Sequence, residues 1–246
     1  MVSFTKNSKM AEIILKNYQL LPIISRFGIK LGFGNKTVEE VCANKNVNAA
    51  FFLEILNSYH NSNYFPDNHL GDFNVDVMVD YLTNTHTYYL KSKVPHIQLF
   101  IDKMEREAQE ENSRNINLLK HFFNEYKIDI ENHFKEEEKH IFPYVIDLEK
   151  TLNTNNCSRE LIDKIKHEPI EVYERNHDSL EIKLADLKNL IIRFLPPLSC
   201  EDDCEHLLTE LFQLEYDIEE HTRMEEKVLI PKVKMLEQKV LEYYGV

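Results

Sequence analysis

The chain has 246 residues, 42 acidic against 29 basic side chains for a formal charge of −13, and 43% hydrophobic residues with only 5 Gly and 8 Pro. That much apolar surface builds a packed core and excludes wholesale disorder, while the scarcity of turn residues disfavours a strand-rich sandwich and points to helices. A surface this acidic repels phosphate backbones and anionic lipid, so neither nucleic acid nor a membrane surface is expected as a partner.

The N-terminal residues lack a long apolar run with a small-residue cleavage site, and no window of 18 or more apolar residues occurs. A cytoplasmic location with reduced thiols is therefore expected for Cys42, Cys157, Cys200 and Cys204. Cys200 and Cys204 are four apart and could share a helix face, which reads as a structural pair ahead of a functional one.

Residues 1–62 read as a small helical domain. Apolar periodicity over 10–27 and 38–59 flanks the turn segment GIKLGFGNKT, and Thr37 followed by Glu40 predicts a capping box. The polar stretch NSNYFPDNHLGDF, with Pro66 and Gly71, predicts a domain boundary. From residue 72 to 246 four long helical patterns follow, over about 75–109, 113–149, 158–194 and 201–244. Breaks at QEENSRN, LNTNNCS and LPPLS separate them. Ser158 is placed to cap the third pattern. Short links between long amphipathic helices predict an all-α, up-down-up-down four-helix bundle. Pro95, Pro143, Pro169 and Pro231 fall inside these patterns and should each kink a helix or end it.

The second and fourth patterns share a motif. HFKEEEKHIFP at 133–143 and HTRMEEKVLIP at 221–231 match in His, Glu-Glu, Lys and Pro at identical offsets. Residues four apart on a helix lie on one face, so His133 with Glu137, and His221 with Glu225, can each reach one point. In an antiparallel bundle these two helices run parallel across the core and would bring two imidazoles and two carboxylates to one level. The first pattern adds His86 and the third adds His177. Four His and two Glu can hold two cations, with the carboxylates bridging, and leave room for an oxo or hydroxo bridge and a small molecule. Mixed imidazole and carboxylate ligation suits iron ahead of zinc, manganese or copper. A lone helical His is ordinarily a surface or core residue and a Glu-rich run ordinarily a solvated face; the internal repeat is what overrides that reading. His140 is a near-face competitor, and His96, His121, His167 and His206 lack partners at the repeat's offsets. There is no nucleophile elbow, phosphate-cradling Gly loop, H-E-x-x-H or Cys/His zinc spacing.

The paired H-x-x-x-E-E-x-x-x-x-P segments resemble the hemerythrin-like domain, and the whole chain resembles the Repair of Iron Centers family of di-iron proteins. The resemblance implies a hemerythrin-like bundle behind a small N-terminal domain. It also implies a non-haem di-iron site formed by His86, His133, Glu137, His177, His221 and Glu225, with Glu137 and Glu225 bridging. PPLSC, ending at Cys200, is similar to the family's Pro-rich link to the last helix. The chain departs from the family in carrying Gly32-Phe33-Gly34-Asn35 in place of a Cys-Cys-Gly-Gly core, so a thiol-dependent role of that segment does not carry over. It also has Asn176 where the family has Glu.

The function implied is restoration of iron–sulfur clusters damaged by nitric oxide or oxidative stress. It would act by iron donation or by nitric oxide binding or reduction, with iron–sulfur proteins as clients and an external electron donor if it reduces. The alternative is a hemerythrin-like sensor or carrier of dioxygen or iron without repair activity. The third reading is a metal-free bundle serving as an interaction module.

Overall fold

The computed structural model describes residues 3–61, 64, 72–108, 110–174, 179–194 and 201–244. Among them the chain is helical apart from turns and one isolated antiparallel bridge between Lys9 and Thr37. The all-α architecture expected from composition is the one observed.

The N-terminal part holds α1 (Met10–Lys16), a 3₁₀ turn leading into α2 (Leu21–Arg26), α3 (Val38–Lys45) and α4 (Ala49–His60). Asparagines punctuate both apolar runs. Asn17 is extended and its side chain accepts from the Gln19 N–H at 3.1 Å. Asn46 takes φ +55° after α3, and Asn48 caps α4 by accepting from the Ala50 and Phe51 N–H groups. The capping box forms as expected: Thr37 Oγ1 accepts from Glu40 N at 3.3 Å, and Glu40 Oε2 accepts from Thr37 N at 2.7 Å. In the intervening turn Gly32 and Gly34 adopt φ +99° and +57°, a region open to Gly at little cost. Between them Phe33 is buried in the core.

The bundle consists of four rods. The first is α5 (Val75–Tyr88) and α6 (Val94–Glu107); the second is α7 (Glu110–Glu136) and α8 (Phe142–Thr154). The third comprises α9 (Arg159–His167), α10 (Ile170–Glu174) and α11 (Ser179–Asn189); the fourth is α12 (Glu201–Met224) and α13 (Ile230–Tyr244). Helix α6 packs on α7 and α12, α5 on α8, and α11 on both α7 and α12, so neighbouring rods are antiparallel. Helices α8 and α13, from the second and fourth rods, also pack on each other.

Two breaks are shorter than the sequence suggests. QEENSRN is largely helical, since α7 already starts at Glu110, and α8 runs to Thr154 before Asn155 at φ +52° closes it. Both stretches lack Gly and Pro, and the Gln, Glu and Arg of the first are strong helix formers. The third pattern divides because Pro169 ends α9. Ser158 caps that helix, accepting from Leu161 N at 3.1 Å. The LPPLS link with Cys200, the C-terminal pair 245–246 and most of the expected domain boundary lie outside the described residues.

The other prolines share one device. A π-helical turn, Tyr89–Lys93, Glu137–Ile141 or Glu225–Leu229, precedes the helix that Pro95, Pro143 or Pro231 opens. A proline cannot donate to the carbonyl four residues back and clashes with it; a widened turn removes both conflicts without ending the rod. The buried seam records this. In the second rod it advances by three or four residues through Leu119, Phe123, Tyr126, Ile130, Phe134 and Glu137, then by five to Phe142. In the first and fourth rods the π turn buries further residues of its own, Lys93 in one and Val228 and Leu229 in the other. A π turn closes over five residues, so the seam stays inward across it.

Two apolar clusters form the core. One joins the N-terminal helices to α5, α8, α9, α10 and α13; the other lies among α6, α7, α11 and α12. Buried polar residues occupy the waist between them.

Candidate metal centre

The waist holds His86, Glu137, His221 and Glu225, each at most 2% exposed. Each offers one ligand atom, and these atoms lie within 4.8 Å of one another. His86 is one residue C-terminal to buried Thr85, whose hydroxyl bonds the Tyr81 carbonyl of the same helix face. Glu137 and Glu225 each open a π turn, and in each rod the histidine four residues earlier points to the same place.

The contacts are mutual. His86 Nε2 lies 3.1 Å from Glu137 Oε2 and 3.2 Å from His221 Nε2, and His221 Nε2 lies 3.2 Å from Glu225 Oε1. His133 Nε2 lies 3.1 Å from the other Glu137 oxygen, Oε1. The two oxygens of Glu137 therefore face different imidazoles. His133 is the most open of these side chains, 20% exposed, and it lines a cavity of about 480 Å³ with His140, Lys164 and Tyr173.

Aromatic rings close the waist. His86 stacks on Phe134 at 4.0 Å and on Phe142 at 5.5 Å, and the Tyr89 ring stands 6.0 Å from that of His221. Burial in such walls acts on every ionisable group there. It opposes the Glu137 charge, but hydrogen bonds from His133 and His86 outweigh it and hold that carboxyl well below its ordinary range. Burial and the adjacent Glu137 charge push Glu225 well above its ordinary range. Burial brings His221 down to about 4, so its imidazole is neutral. Burial likewise works against the His133 cation, yet Glu137 outweighs it and raises that group.

These residues fit a cation. Two carboxylates and two imidazoles converge inside an apolar wall, and the charges that bear on Glu225 come from Glu137, His86 and His133. Two acids facing each other at such depth are costly without positive charge between them. Imidazole and carboxylate together suit a first-row transition metal.

Of the six residues singled out from the sequence, the structure brings five together: His86, His133, Glu137, His221 and Glu225. His177 lies outside the described residues. His140 stays apart, half exposed and 3.9 Å from Glu136. Two further residues reach the centre. Glu138 Oε1 lies 3.0 Å from His86 Nδ1, where it fixes the ring and leaves Nε2 facing inward. Tyr173 of α10 donates its hydroxyl proton to Glu137 Oε1. The doubled Glu of the repeat was a visible signal for Glu138; nothing in the spacing marks Tyr173.

Comparison with known proteins adds three findings. A family model described as the hemerythrin HHE cation binding domain matches residues 94–233, a range that contains His133, Glu137, His177, His221 and Glu225 and leaves His86 outside. The chain is similar to the iron-sulfur cluster repair protein ScdA of Staphylococcus haemolyticus (strain JCSC1435). The two are 21% identical over 237 residues, which cover 93% of this chain and 98% of that protein. No solved structure matches the chain. Among the described residues no helix is long and apolar enough to cross a membrane.

Proposed function

This chain belongs to the hemerythrin HHE cation binding domain family, and from that premise we propose that it holds two iron ions at its waist and serves the repair of iron–sulfur clusters damaged by nitric oxide or oxidants. The observation that carries the reading is the buried set of His86, Glu137, His221 and Glu225 in a chain that is similar over nearly its whole length to an iron-sulfur cluster repair protein.

In this reading His86, His221, Glu225 and Glu137 would hold one ion, and His133, Glu137 and His177 the other; the contacts among His86, His133, Glu137, His221 and Glu225 support it. Glu137, with an oxygen toward each, would bridge them, and Glu225 would be the second bridge. Iron bound there would supply one-electron chemistry toward a small molecule such as nitric oxide or dioxygen. The chain's own groups do the rest. Glu138 orients His86, Tyr173 holds one Glu137 oxygen, and Phe134, Phe142 and Tyr89 exclude water. The cavity against His133 is the open side, through which a small molecule or a departing cation would pass. Electrons for any reduction come from an external donor.

The test is anaerobic purification with iron loading, metal quantitation and visible spectra before and after nitric oxide, followed by incubation with an iron–sulfur dehydratase inactivated by nitric oxide. Two irons per chain and recovery of the dehydratase are expected. Fewer than one cation per chain would sink the site. Two irons with reversible dioxygen binding and no recovery would replace repair with a carrier or sensor role.

A further inference from the structure

We propose that Arg26, contributed by the N-terminal helices, is a positioning residue for the metal centre: buried inside the bundle, it fixes Asp217 and Tyr89 and so holds the turn of α12 that presents His221. The inference rests on the ligand role proposed for His221.

Arg26 ends α2, yet its side chain is wholly buried. Its Nη2 is ion-paired with Asp217 Oδ2, and Nη1 donates to the Tyr59 hydroxyl at 3.4 Å. Tyr59 in turn donates to Asp217 Oδ1 at 3.2 Å and receives from Tyr81 at 3.5 Å. Both oxygens of Asp217 are thus engaged by the N-terminal helices. The flat guanidinium also lies 4.7 Å from the Tyr88 ring and 5.3 Å from the Tyr89 ring, within cation–π range. Arg26 thereby joins α2, α4, α5, the first π turn and α12.

From this knot the path to the centre is one helical turn. Asp217 precedes His221 by four residues, so the Asp217 carbonyl is the acceptor for the His221 N–H in a regular α-helix. Tyr89 donates to that same carbonyl at 2.9 Å, and its ring stands 6.0 Å from the His221 ring and 5.8 Å from Phe134. Backbone and ring of the ligand turn are held by groups that Arg26 touches, while Arg26 acts on His221 only through them. Arg is suited to this task because its rigid planar fork serves a carboxylate, a hydroxyl and two ring faces at once; Lys is a point charge.

The full-length chain with Arg26→Met, Arg26→Lys, or Arg26→Met with Asp217→Leu tests this. Amide exchange over residues 217–225 is followed without metal, and cobalt(II) is titrated as a spectroscopic probe of ligand geometry. Arg26→Met should speed exchange across that stretch at least about tenfold, weaken cobalt(II) at least about tenfold and alter its absorption bands, with Arg26→Lys between it and the parent. The paired replacement removes the buried charges together, so it should regain thermal stability but not the parent's cobalt spectrum. If Arg26→Met does not fold, the paired variant carries the test. Parent-like exchange over 217–225 in a folded variant lacking Arg26 would overturn the proposal. If the parent chain takes up no cobalt, the metal-site reading fails, and the exchange measurement still decides the role of Arg26.

Discussion

Glu137 and Glu225 stand at the same place in the same repeat, yet their surroundings treat them oppositely. Two imidazole contacts keep Glu137 ionised, and burial beside that charge drives Glu225 toward its protonated form. The sign of the consequence follows. Glu225 contributes stability that is present below the ordinary carboxylate range and is lost as pH rises through its elevated value. Glu225→Gln keeps the shape without the cost, so the metal-free variant should match the parent near pH 4.5 and exceed it at pH 8. A gain of about 1 kcal/mol there corresponds to roughly 2–4 °C in the melting temperature of a chain this size. The same variant should bind less iron, and a metal-free melting temperature unchanged at pH 8 would refute the assignment. His221 acts in the other direction. Its value is lowered from 6.5 to about 4, so the unfolded chain binds more protons between those values and stability falls as pH drops through that window. If Glu225 and His221 hold a cation as proposed, binding needs Glu225 ionised and His221 neutral. Loading should therefore release protons and tighten with rising pH, which titration in two buffers of different ionisation enthalpy will show.

At the scale of the element, the π turns decide how three of the rods carry both a residue of the waist and a proline. A regular α-helix would bring the seam back to the core after three or four residues; the observed step from Glu137 to Phe142 is five. Removing one exposed residue from such a turn leaves a step of four, which an α-turn accommodates. Deletion of Lys139 should thus keep the fold, within about 2 kcal/mol of the parent. Deletion of exposed Asn124 in the middle of α7 turns every downstream core residue off the seam. It should cost more than about 4 kcal/mol or prevent folding. Equal losses in thermal melts of the two kinds of deletion would contradict this account. The five-residue step was already present in the sequence, inside H-x-x-x-E-E-x-x-x-x-P. It is not legible there because a proline in a helical pattern suggests a kink or an end, and a widened turn satisfies the same chemistry without either.

At the scale of the molecule, the N-terminal helices and one half of the bundle share a single apolar cluster. Met10, Ile13, Phe51 and Phe52 lie in the same cluster as Met78, Phe142, Met224 and Val233. A bundle expressed from residue 72 onward would expose the bundle's side of that cluster and lose the ion pair between Arg26 and Asp217. The truncated bundle is therefore expected to aggregate or to melt well below the full chain, and to be stabilised by added cation through mass action. A monomeric truncation with the parent's melting temperature would show that the shared cluster contributes little.

The sequence by itself determined what is local and periodic. It carried the helical class, the four-rod order, the Thr37 and Ser158 caps, and the pairing of His133 with Glu137 and His221 with Glu225, because each of these depends on spacings of three to five residues along one helix. Tertiary structure alone decided which faces meet. Arg26 and Asp217 are 191 positions apart, His86 and His221 are 135 apart, and Tyr173 reaches Glu137 from another rod. No spacing rule reaches over such separations. The waist exists because rods of fixed phase, three of them re-phased by a π turn, are pressed together by two apolar clusters that leave their polar residues nowhere to go but toward one another.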